Sequence, residues 1–68
     1  MMSNKLAIYY FMKCEYQKDP ENFLSAKDIS REFELSLDRT RRHLSLLVFD
    51  GKLETHVDGW CNVYRVRC

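Results

Sequence analysis

Glycine and proline are almost missing, with two of the one and one of the other in 68 residues. Their scarcity excludes collagen-like and low-complexity chains, and it makes Pro20, Gly51 and Gly59 punctuation marks rather than composition. Charge of one sign is missing as well. Eleven Lys/Arg meet ten Asp/Glu for a formal net charge of +1, so the strong basic excess common in dedicated nucleic-acid binders is absent. No apolar run exceeds the seven residues 6–12, far short of the ~20 that cross a bilayer. That run also lacks a basic flank followed by a small-residue cleavage site, so the chain is expected to be cytoplasmic. Three cysteines, Cys14, Cys61 and Cys68, form an odd set without a Cys-x-x-Cys pair. Neither a disulfide framework nor a zinc finger is expected, and the thiols should be reduced. There is no Ser/His/Asp constellation, no phosphate loop and no carboxylate pair at catalytic spacing, and a domain this small offers little concave surface. No enzyme activity, cofactor, metal or small-molecule substrate is expected.

What is present is 46% hydrophobic and 31% charged residues, the composition of one folded domain over residues 1–68. A first helix is predicted from residue 3 or 4 to about 16, with Ser3 as its N-cap. Its apolar residues, Leu6 through Met12, run right around the helix, whereas one buried stripe would need fewer. The excess marks Tyr9, Tyr10 and Phe11 as a self-association or partner surface, unless the core absorbs them. A polar loop over residues 17–22 follows, then a very short strand at Phe23-Leu24. Ser25-Ala26-Lys27-Asp28 has the form of a capping box and starts a second helix, with Ile29 and Phe33 buried. A turn of about three residues, Glu34-Leu35-Ser36, leads to a third helix capped by Ser36 and running from Leu37 to about Phe49. Leu37, Leu44 and Val48, with Thr40 and Leu47, are predicted to face inward. Arg39, Arg42 and Leu46 face outward, His43 and Phe49 less directly, and Arg41 sits near the inward edge. Gly51 supplies the left-handed residue that stops the helix.

From Lys52 onward the hydrophobic period changes to two, and Asp58-Gly59 is a strong two-residue hairpin signal. A type I′ turn there pairs Val57 with Trp60, Thr55 with Asn62 and Leu53 with Tyr64. Those residues and Val66 then share the inner face, while Lys52, Glu54, His56, Cys61, Val63, Arg65 and Arg67 line the outer one. Packing on Val57 is the expected place of Trp60, with insertion into a groove or a partner as the alternative. His56 and Cys61 oppose each other in this register, with Cys68 near the end of the strand. Three candidate ligands without motif spacing read as coincidence rather than a metal site.

Three helices followed by a hairpin is the order of an α+β winged helix-turn-helix domain. Such a fold presents its third helix to the major groove of double-stranded DNA. The charges agree with this use. Residues 1–35 hold five Lys/Arg against six Asp/Glu, and residues 36–68 hold six against four. Arg39, Arg42 and His43 are the candidate base-edge and phosphate contacts, with Ser36 at the helix N-terminus, Arg41 in a phosphate role, and Lys52, Arg65 and Arg67 as backbone contacts from the wing. The pattern Ile29-x3-Phe33-x-Leu35-Ser36-x3-Thr40-Arg41-x2-Leu44-x2-Leu47-x3-Gly51-x-Leu53 resembles bacterial winged-helix regulators, and more narrowly the small FaeA/PapI-type regulators of fimbrial operons. The resemblance implies a sequence-specific transcriptional regulator whose recognition helix carries Arg39, Arg41, Arg42 and His43. A protein-binding adaptor using Leu46, Phe49 and Trp60 is the second reading.

Overall fold

A computed structural model describes residues 4–67; the predicted Ser3 cap and Cys68 lie outside them. The elements are helix α1 (Asn4–Lys18), strand β1 (Leu24–Ser25), helices α2 (Ala26–Phe33) and α3 (Leu37–Phe49), and strands β2 (Leu53–Asp58) and β3 (Cys61–Val66). This is an α+β fold of three helices and an antiparallel sheet in the winged-helix arrangement, with strand order β1-β3-β2. The short strand is real, displaced by one residue from its expected place, and it pairs Leu24 with Tyr64 and Ser25 with Val63.

Local chemistry sets the boundaries. The Asp28 N–H donates to Ser25 Oγ and the Ser25 N–H to Asp28 Oδ2, both at 3.2 Å, so the capping box is complete. Helix α2 ends where Glu34 turns left-handed at φ 54° and the Leu35 N–H reaches back to the Ser30 carbonyl at 3.0 Å. Ser36 then caps α3 by accepting from the Arg39 N–H at 3.2 Å. Two caps separated by so few residues hold α2 and α3 at a tight turn. Gly51, at φ 78°, follows the end of α3 as expected.

The core brings together Ile8 and Met12 of α1, Ala26 and Ile29 of α2, Leu44 and Leu47 of α3, and Leu53, Tyr64 and Val66 of the sheet. Of the seven apolar residues at 6–12, only Ile8 and Met12 are fully buried. Tyr9 and Phe11 pack along the core's edges, Phe11 edge-on to Phe33 at 5.6 Å between ring centroids. Leu6 and Tyr10 stay exposed.

Three expectations are corrected. The hairpin turns on Gly59-Trp60, because Asp58 pairs with Cys61, Val57 with Asn62 and Leu53 with Val66. Gly59 at φ 66°, with Trp60 not at positive φ, matches a type II′ turn, which wants glycine first. Every partner shifts by two positions, so no residue changes face, but Trp60 leaves Val57 for the turn itself, and His56 opposes Val63 rather than Cys61. Leu37 is exposed rather than inward, since it stands on the first turn of α3, ahead of the buried Thr40, Leu44 and Leu47. His43, expected outward, is half-buried; it lies about 60–70° from the centre of that buried arc, and its Nδ1 is buried without a hydrogen-bond partner among the described residues.

Candidate nucleic-acid interface

Helix α3 is fixed from one side. Thr40, Leu44 and Leu47 are fully buried, and the Thr40 hydroxyl donates to the Ser36 carbonyl at 2.9 Å, so its rotation is set. The arc opposite them carries Arg41, Ser45, Asp38, Phe49, Arg42, Leu46 and Arg39 in angular order, and all seven are exposed. Along the axis this face divides in two. Its N-terminal half holds Arg39, Arg41 and Arg42, and among the described residues none of the three is in an ion pair. Its C-terminal half holds Leu46 and Phe49, the latter 89% exposed.

Beside the basic half lies an open cleft of about 460 Å³ between the first turns of α2 and α3 and the tip of the wing. Lys27, Leu37, Arg41, Trp60 and Tyr64 are among its lining residues. Beyond its buried base the wing stands clear of the core. Leu53, Tyr64 and Val66 are buried, whereas Val57 is 74% exposed and Trp60 fully so.

Of the wing's predicted cations, Arg65 and Lys52 make contacts within the fold. Arg65 lies on the sheet face opposite buried Tyr64 and Val66. It donates through Nε to Glu54 Oε1 at 2.8 Å and through Nη1 to the Pro20 carbonyl at 3.1 Å, and its guanidinium stands 4.5 Å over the Phe23 ring. This arginine ties the α1–β1 loop to the sheet. Its hydrogen bond to Glu54, followed by that of His56, holds the Glu54 carboxyl below the usual carboxylate range. Lys52 points its ammonium at the Tyr9 ring, 5.1 Å from the centroid. Arg67 is exposed at the base of the hairpin, its N–H donating to the Lys52 carbonyl at 3.0 Å.

Comparison with known proteins finds no matching family model, curated protein or solved structure.

The fold thus joins Arg41 of α3 to Trp60 of the wing across one cleft, while Arg65 is held by Glu54, Pro20 and Phe23. Sequence reasoning missed Lys27. Its signal was its place in the capping box, where a first-turn side chain stands at the mouth of a helix whose successor carries the arginines. Among the described residues no group of His, Cys, Asp and Glu is arranged to hold a metal ion, and no helix is long and apolar enough to cross a membrane.

Proposed function

We propose that the protein binds duplex DNA with α3 in the major groove and acts as a small transcriptional regulator. The observation that carries this reading is the set of three exposed arginines, Arg39, Arg41 and Arg42, unpaired among the described residues, on the N-terminal half of a helix whose opposite side is locked into the core. Exposed ion pairs are worth only about 0–1 kcal/mol, and among the described residues neither Asp38 nor Glu34 is paired with these cations. Here they are left to bind guanine edges or phosphates. The N-terminus of α3 points the same way, adding backbone N–H groups beside the Ser36 cap.

The test is a titration of duplex DNA at several salt concentrations. Binding should weaken steeply with salt. Arg39→Ala and Arg42→Ala should each lower the log–log slope by about 0.9 for every phosphate left without its cation, or cost about 1–3 kcal/mol where the arginine reads a base. Salt-independent binding, or affinity unchanged in both variants, would refute the proposal.

A second reading rests on Phe49. A phenylalanine 89% exposed beside Leu46 suits a protein contact better than a groove. It is compatible with the first reading, since the apolar half of α3 is separate from the basic half. Leu6 and Tyr10 on α1 offer a further apolar surface for a second copy of the chain.

A further inference from the structure

A helix lying in the major groove leaves the cleft beside it unexplained. The cleft is walled by Leu37, the buried Tyr64 ring and Trp60, and among the described residues its only charged lining groups are the cations Lys27 and Arg41. Neither cation is in an ion pair among the described residues. Trp60 is fully exposed and enters none of the ring contacts among those residues. A large apolar ring left in water beside two unpaired cations suits a ligand that is both planar and anionic. The plane would cover the indole and the anion would answer the cations. A volume of about 460 Å³ lies within the range of about 300–1,000 Å³ usual for small-ligand clefts.

We propose that this cleft seats one unpaired nucleotide, its base against the Trp60 indole and its phosphate between Lys27 and Arg41. The same chemistry is offered by an unpaired residue of a DNA strand and by a free mononucleotide. The strand is the favoured source because Arg41 belongs to both surfaces. It lines the cleft and stands one residue from Arg42 on the exposed arc of α3, so a strand leaving the duplex at α3 reaches the cleft directly. That preference rests on the reading of α3 as a duplex-binding helix; occupation by a free nucleotide does not.

Trp60 is the single tryptophan of the chain, so tryptophan emission reports on the cleft alone. The full chain is titrated with a blunt duplex, with the same duplex carrying a short single-stranded extension, and with deoxyadenosine monophosphate. The extension should quench the emission and tighten binding about tenfold over the blunt duplex, the usual scale of one base stacked on an aromatic side chain. Trp60→Ala should remove that preference and leave blunt-duplex affinity unchanged, and circular dichroism checks that the fold is intact. Lys27→Ala should reduce the preference in part. Quenching by the mononucleotide without a preference for the extension also supports the site and assigns it a free ligand. Equal affinity for both duplexes with no quenching by the mononucleotide overturns the inference, and blunt-duplex binding that still depends on Arg39 and Arg42 would then leave the function of α3 standing. Binding to none of the three overturns both.

Discussion

Two single residues show how the backbone is held at the ends of the second and third helices. Glu34 occupies the left-handed region at φ 54°, where an L-residue costs about 1–2 kcal/mol. Glycine there gives up about 0.4–1 kcal/mol through the freer unfolded chain. Glu34→Gly should therefore raise stability by up to about 1 kcal/mol. Gly51 is the reverse case, at φ 78° with nothing within 4 Å of an added Cβ. Gly51→Ala meets no clash, so its loss of up to about 1 kcal/mol is backbone strain less the about 0.4–1 kcal/mol that alanine returns through a stiffer unfolded chain. Urea denaturation of the two variants should show midpoints displaced in opposite directions. Gly51 was legible in the sequence, because glycine after an apolar helix is a local signal. Glu34 was not, because nothing in a glutamate announces positive φ.

Among the elements, the hairpin shows most clearly what patterning can and cannot decide. Turns on Asp58-Gly59 and on Gly59-Trp60 place the same residues inward, so the alternation that identifies the strands does not choose between the registers. The choice falls to the base of the hairpin. There Leu53 faces Val66, both buried, and β1 adds a third strand through Leu24 and Tyr64. The outer face is held by the cluster of Arg65, Glu54, His56 and Phe23, and its carboxylate makes stability depend on pH. The folded pKa of Glu54 is lowered, chiefly by the Arg65 hydrogen bond. The contribution is therefore complete above the unfolded value of about 4.3 and is lost as pH falls through the lower folded value. The difference in thermal midpoint between the parent and Glu54→Gln should shrink as pH falls below about 4.3. A gap unchanged into stronger acid would mean that the cluster is not held by charge.

At the scale of the whole molecule, the Cα radius of gyration of 10.9 Å is what a compact chain of this length should have, about 11 Å. The longest extent is 30 Å, less than the roughly 34 Å of one DNA turn. Under the proposed reading of α3, a single copy would then cover at most about 9 base pairs at about 3.4 Å each. Binding measured on duplexes of increasing length should reach full affinity near that length, and a plateau only beyond about 20 base pairs would mean that two copies bind together. The helices, the caps of α2 and α3 and the existence of the wing could be read from sequence because each depends on neighbours a few residues apart. The cleft could not. Residues 25–27, 37, 41, 60–62 and 64 meet there only after the wing has taken its place.

The turn that carries Trp60 also decides how this protein can be observed. An indole already surrounded by water in the folded state has no apolar environment to lose on unfolding. Its emission should stay nearly silent through denaturation and change when something settles on it. Tyr64, buried in the core, and the helical backbone signal are the reporters of folding; the tryptophan is a reporter of company.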